Sequence, residues 1–282
     1  MTPDTLAEAL QRSQGRARLI APVHLAGVAC DMPALSALAH DHGLSVVEDA
    51  SHAVGSLDET GAPVGACPYS DAAVFSFHPV KTLACGEGGM VTTQNPEIAD
   101  RVAHARSHGV VREPGRFERI EGAAEPWWYE MQTLGWNYRM PDINAALGLS
   151  QLNKLSRFAQ RRRLLASVYD AALSELAPLV QPPAGRAGVD PCRHLYNVRI
   201  DFCAAGQSRA DVMTALKDHG IGTQVHYIPV HHHPYYKALY GEQSLPGAER
   251  HYARTLSLPL YPAMSDDDPA RVVSALKAVL GL

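Results

Sequence analysis

The sequence predicts an α/β protein, with a large unit built on a parallel sheet followed by a smaller α+β unit. Three observations carry this. A strand, a helix and a strand follow one another between Ala17 and Glu48, the spacing of a right-handed crossover between parallel neighbours. Two short apolar runs, Ala72–Phe77 and Gly89–Thr93, then flank a glycine-punctuated turn. Finally, Gln181-Pro182-Pro183-Ala184-Gly185 is the sharpest change of composition and marks a turn into a second unit. The expected division is 1–140, 141–180 for connecting helices, and 181–282.

The elements follow in order. Thr2-Pro3-Asp4 supplies a cap, a first-turn proline and an early acid for a helix through about Gln11. Ala17 to Val23 reads as a strand. Asp31 caps a helix from Met32 to about His42, stopped by Gly43. Leu44 to Glu48 is a short apolar strand, and Asp49 falls at its carboxyl end, where parallel sheets collect ligands. Asn95-Pro96 opens a helix ending near Gly109. From Val110 to Asn137 periodicity is weak, and the stretch holds Trp127-Trp128-Tyr129. A loop of that length is a functional or interface segment. Two helices, about 141–155 and 157–177, come next, the second carrying Arg161-Arg162-Arg163 as a solvated face. Beyond the turn, His194–Asp201 and Thr223–Ile228 read as strands, with a helix from Ser208 to His219 between them. Ser265 with Asp266, Asp267 and Asp268 caps the last helix.

Composition narrows the function. With 282 residues, 46% of them apolar, the chain can bury a large core. No apolar run spans a bilayer, and the N-terminus lacks a secretory pattern, so a cytoplasmic protein is expected. A formal net charge of −4 without a basic block argues against nucleic acid as a partner. Five cysteines without a Cys-x-x-Cys pair read as reduced thiols. Of the fourteen histidines, His231-His232-His233 are adjacent, and adjacent side chains do not easily converge on one metal. The triplet is read as loop composition, with metal binding the lesser alternative, and no metal site is expected.

The chemistry centres on Lys81. A lysine between apolar residues in a tight turn is costly to desolvate, which lowers its pKa and frees the amine to attack a carbonyl. Alone, the stretch reads more simply as an ordinary hairpin with a snorkelling lysine. Its companions decide: Glu48-Asp49-Ala50-Ser51-His52, then Ser76-Phe77-His78-Pro79-Val80-Lys81 with Gly86-Glu87-Gly88-Gly89, then Gly135-Trp136-Asn137-Tyr138-Arg139. Together these resemble the DegT/DnrJ/EryC1/StrS sugar aminotransferases, which have the aspartate-aminotransferase fold (fold type I). The likeness continues through 145–152, 220–227 and 256–262, nearly the whole chain.

The resemblance implies a pyridoxal 5'-phosphate cofactor. Lys81 would hold its aldehyde carbon and shuttle a proton, and Asp49 would pair with the pyridine nitrogen. His52 would touch the ring, Ser76 would bind the phosphate, and Asn137 would reach the phosphate of a neighbouring subunit, making a homodimer with shared sites. Arg139 either pairs with a phosphate or braces its loop. His226 and Tyr227 either close over a nucleotide-sugar or are ordinary strand residues, and the Trp127 pair either plugs an interface or stacks a sugar. Residues 78–81 and 224–229 are most similar to the transaminases that form UDP-4-amino-4,6-dideoxy-N-acetyl-β-L-altrosamine in pseudaminic acid synthesis, with glutamate as the amino donor by analogy. Family members carry, upstream of the match, a strand, a phosphate-gripping helix start and an aromatic ring cover. The expectation is therefore a large domain lacking its N-terminal part. Two alternatives stand beside the transaminase: a catalytically incompetent homologue that binds another subunit, and a sugar dehydratase. The dehydratases replace the lysine by histidine, so Lys81 counts against the second.

Overall fold

The computed structural model describes residues 1–118 and 125–282. Residues 119–124, within the expected long loop, lie outside the described residues. Helix α1 (Pro3–Ser13) is capped by Thr2, whose hydroxyl accepts the Thr5 N–H. The short strand β1 (Leu19–Ile20) leads to helix α2 (Met32–Asp41), started by the Asp31 carboxylate accepting from the Ala34 N–H. Strands β2 (Ser45–Asp49), β3 (Ala72–Ser76) and β4 (Gly89–Thr92) complete a four-stranded sheet in the order β1-β2-β3-β4. The first three strands run parallel and β4 is antiparallel. The strand expected over Ala17–Val23 pairs only at Leu19–Ile20, with Val23 making a single further bridge to Asp49.

Packing on this sheet follows from helical spacing. Met32, Leu35 and Ala39 lie on one face of α2 and are buried against Ile20 and Val46, with Leu6 and Leu10 of α1 closing the cluster. A leucine as enclosed as Leu35 contributes about 2 kcal/mol by leaving water.

Helix α3 (Pro96–Ala105) and the small ladder of β5 (Val110–Val111) and β6 (Glu130–Met131) follow. Next are α4 (Asp142–Leu152) and the long α5 (Leu155–Leu173). The C-terminal part has an antiparallel sheet, β7 (Val180–Gln181), β8 (Tyr196–Ile200) and β9 (Thr255–Leu258), in the order β7-β8-β9. Helices α6 (Arg209–Asp218), α7 (Pro234–Tyr240), α8 (Pro246–Arg254) and α9 (Asp268–Leu280) complete the chain. Its core is the largest in the molecule, joining Leu165, Tyr169 and Leu173 of α5 to Val198, Leu216, Leu256 and Leu276. Tyr169 and Tyr196 stack there at 4.5 Å, and each hydroxyl finds an acceptor, Pro259 O and the Asp170 carboxylate.

Three sequence expectations are corrected. Thr223–Ile228 is not a strand: Gln224 alone makes a bridge, to Ser257, and no ladder continues beyond it. The Arg161–Arg163 run is not a solvated face. Successive helix residues point about 100° apart, and Arg162 turns inward to 5% exposure. The last helix lacks the side-chain cap expected of Ser265: its N-cap is Asp267, which makes no capping bond, and the Asp268 carboxylate of the first turn accepts the Ser265 N–H at 2.7 Å.

Candidate active site

The site lies where the carboxyl edge of the parallel strands meets the loop before β8 and the segment after α6. Asp49 ends β2, held through its backbone by His24 and Pro22, and its carboxylate accepts the Ser51 N–H at 3.0 Å. The strand's alternation sends its neighbour Glu48 to the other face. There, buried, it is bonded to His24 Nε2 at 2.7 Å and to the Ser70 hydroxyl. The Cys30 N–H donates to His24 Nδ1, so the His24 proton sits on Nε2, facing Glu48. This network fixes the end of β2 from behind.

Lys81 lies in the connection between β3 and β4. The connection folds tightly because Gly86 takes φ +86° and a Cβ on Gly88 would come within 2.7 Å of Cys85 Sγ and Met140 Cε. The lysine is half-buried. Burial lowers its amine from the ordinary lysine value, and the nearby Asp49 carboxylate partly offsets this. Among the described residues its amine makes no hydrogen bond or ion pair.

His52 is buried on the same edge. Its Nδ1 accepts the Ala26 N–H at 3.3 Å, so its Nε2 carries the hydrogen and faces the Tyr227 hydroxyl at 3.5 Å. Burial first, then the Lys81 charge, pushes its pKa down to about 4, so the ring is neutral at pH 7. His226 Nδ1 shares a hydrogen with the Ser257 hydroxyl at 2.7 Å, and burial and Lys81 lower its pKa too. Tyr227 is raised by burial and by Asp49. The structure thus brings Asp49, His52, Lys81, His226 and Tyr227 together. Ser76 ends β3 two residues beyond the Asp49–Val74 pair, and its hydroxyl accepts the His78 N–H at 3.4 Å. Asn137 and Arg139 are not brought to these groups within the chain. Asn137 is exposed and bridged to Ser107, and Arg139 lines a separate cavity with His104, His108 and Arg112.

Sequence reasoning missed His194 and Arg162. His194 lies 4.6 Å from the His52 ring, and burial, then His52 and Arg162, push its pKa to about 2. Arg162 Nη1 donates to the carbonyls of Arg193, His194 and Leu260 at 3.2, 3.2 and 2.9 Å, pinning the His194 loop. A relay of Cys192 N–H to Ser56 Oγ to Gly27 O stitches that loop to the His52 segment. Gly27 allows the close approach: a Cβ there would meet Cys192 O at 2.3 Å, at φ +92°. No local pattern announces these contacts. The one signal was the arginine run, since a three-arginine stretch on a packed helix must turn at least one side chain inward.

The donor set fits a phosphorylated pyridine aldehyde. It offers an uncommitted, partly desolvated amine, a carboxylate beside it, a buried neutral imidazole and a hydroxyl at a strand end. The DegT/DnrJ/EryC1/StrS aminotransferase family profile matches residues 1–277. The chain belongs to this family. It is a pyridoxal-phosphate-dependent sugar aminotransferase of fold type I, as expected from its sequence. The enzyme is 41% identical over 268 residues to the spore coat polysaccharide biosynthesis protein SpsC of Bacillus subtilis, covering 94% of this chain and 67% of SpsC. It superposes on Helicobacter pylori PseC, an aminotransferase of pseudaminic acid biosynthesis, with a TM-score of 0.85 at 28% identity, over 94% of this chain and 67% of PseC. The PLP form of Spr1654 from Streptococcus pneumoniae matches with a TM-score of 0.84 at 28% identity, over all of this chain and 72% of Spr1654. The enzyme therefore spans about two thirds of the length of SpsC and PseC. No helix among the described residues is long and apolar enough to cross a membrane.

Proposed function

We propose that the enzyme aminates the keto carbon of a nucleotide-linked 4-keto-6-deoxy sugar, forming UDP-4-amino-4,6-dideoxy-N-acetyl-β-L-altrosamine with glutamate as amino donor, in surface-glycan or pseudaminic acid synthesis in the cytoplasm. The observation that carries the reading is the half-buried Lys81 amine, which makes no hydrogen bond or ion pair among the described residues, beside Asp49 and the neutral His52. The likeness to PseC and the 224–229 phrase support this sugar.

The bound cofactor supplies an electron sink for the carbon losing its proton. The chain's residues do the rest. Lys81 would hold the cofactor by its aldehyde carbon, and its amine, when free, would accept and return the proton of the reacting carbon. Its lowered pKa leaves a larger share of the amine unprotonated near neutrality. Asp49 would hold the proton on the pyridine nitrogen, and the Glu48–His24–Ser70 network fixes the strand end that carries it. His52, neutral and fixed by the Ala26 N–H, orients the ring without adding charge. Ser76 holds the phosphate, and the His226–Tyr227 segment excludes water above the sugar. In this reading residues 1–140 bind the cofactor, 141–180 connect, and 181–282 close over the sugar.

The same reading makes the enzyme a homodimer. No residue of α4 is buried, although it carries Ile143, Leu147, Leu149 and Leu152, with Ile143 85% exposed. Trp136 and Tyr138 stack beside it, also exposed, and exposed Asn137 lies between them, suited to reach a second copy's phosphate. An apolar helix and a stacked aromatic pair on one surface mark an interface. Arg139, next to them, would contact the nucleotide-sugar from that side.

The test is transfer of label. With nitrogen-15 glutamate and the 4-keto sugar nucleotide, mass spectrometry should find the label in the sugar with the enzyme and none with Lys81→Ala. Label appearing equally with the variant would remove Lys81 from the reaction. A deoxygenated, unlabelled product would show dehydration instead.

A further inference from the structure

The histidine triplet has a property that its sequence does not announce. Val230–His232 forms one turn of 3-10 helix, and His231 and His232 lean together with ring centroids 4.4 Å apart. Glu249 of α8 meets them, its Oε1 3.3 Å from His231 Nε2. One donor atom from each of His231, His232 and Glu249 lies within 4.8 Å of the others. His233 is exposed and is not part of this group.

We propose that His231, His232 and Glu249 bind one divalent transition-metal ion of the zinc class. Tetrahedral zinc bonds of about 2.0–2.2 Å set donor atoms about 3.3–3.5 Å apart. The His231–Glu249 pair already has that separation, and His232 closes the remainder by turning its half-exposed ring. Two imidazoles and a carboxylate, without a thiolate, suit zinc, cobalt or nickel rather than calcium or magnesium. Three protein ligands leave one position for water, and a cavity of about 360 Å³ beside His231, walled by Val230, Tyr236, Tyr240 and Leu245, adjoins it. The same Glu249 Oε1 accepts the Leu245 N–H at 2.9 Å, so the carboxylate is held in place before an ion arrives.

The ion would tie two pieces of chain together. One is the turn that follows His226 and Tyr227. The other is α8, whose His251 Nε2 lies 3.4 Å from the His226 carbonyl. An ion at this point braces the segment beside the candidate active site from outside. Binding itself depends on none of the cofactor chemistry, so it is tested separately.

Protein without a histidine tag, stripped with a chelator, is dialysed to equilibrium against zinc(II) and its metal content measured. The expected result is one zinc per chain, with affinity lowered at least about tenfold in His231→Ala and Glu249→Gln and unchanged in His233→Ala. Cobalt(II) should give the visible absorption bands of a four-coordinate ion, lost in the same two variants. Circular dichroism checks their folding. If buried His231 cannot be replaced without unfolding, His232→Ala carries the comparison. Absence of stoichiometric zinc, or zinc retained equally by the variants, would overturn the site.

Discussion

Replacing His52 by glutamine should remove a specific acid sensitivity of the fold. His52 titrates at about 4 in the folded chain against 6.5 when free. Between those values the unfolded chain binds a proton that the folded chain refuses, so stability falls as pH drops from 6.5 towards 4 and rises with pH in that window. The full difference is worth about 3 kcal/mol at 1.36 kcal/mol per unit, and most of it is lost between pH 7 and pH 4.5. The physical source is the enclosure of the ring and the Lys81 charge nearby, with the His194 ring tilted against it at 4.6 Å. Glutamine keeps a polar group in reach of the Ala26 N–H and does not titrate. Urea unfolding of both proteins at pH 7 and pH 4.5 isolates the effect, because the carboxylates common to both cancel. The wild type should lose about 2 kcal/mol more than the variant. Equal losses, or a His52 ring signal titrating near 6.5 by NMR, would refute the claim that this histidine is held neutral.

Three more outcomes follow from the geometry. Arg162→Met leaves the carbonyls of Arg193, His194 and Leu260 without their donor, and should destabilise the fold by about 3 kcal/mol in urea unfolding. Gly27→Ala adds a Cβ 2.3 Å from Cys192 O at φ +92°, and should cost at least about 2 kcal/mol in the same assay, since backbone blocks its relief. Ile143→Glu with Leu149→Glu puts charge on the exposed apolar face of α4, and sedimentation should then find single chains where the wild type sediments as a dimer.

Local physics made part of this molecule legible in its sequence. The parallel strands at 45–49 and 72–76 were visible as short apolar runs of strand length bounded by turn signals. Helix starts at Thr2, Asp31, Asn95 and Ser208 were visible because a capping side chain stands at a fixed offset from the N–H it satisfies. Asp49, His52 and Lys81 could be grouped because each sits in a recognisable phrase, and the structure places them at one sheet edge. What stayed hidden was set by distant contacts. His194 reaches His52 only because Arg162, Ser56 and Gly27 draw three remote segments together. Strand β9 and helices α7 and α8 are short and polar-flanked, so no periodicity separated them from loop, while Gln224–Tyr227 has strand composition but follows a bent path. Convergence of His231 and His232 depends on a 3-10 turn that composition does not specify.

The central claim is that Lys81 is the residue that holds the cofactor. Purified enzyme mixed with pyridoxal phosphate should show a visible absorption band that borohydride abolishes, and peptide mass spectrometry should then find the reduced pyridoxyl group on Lys81. Lys81→Ala should show neither. A borohydride-sensitive band that persists in the variant, or a pyridoxyl group on another lysine, would contradict the account.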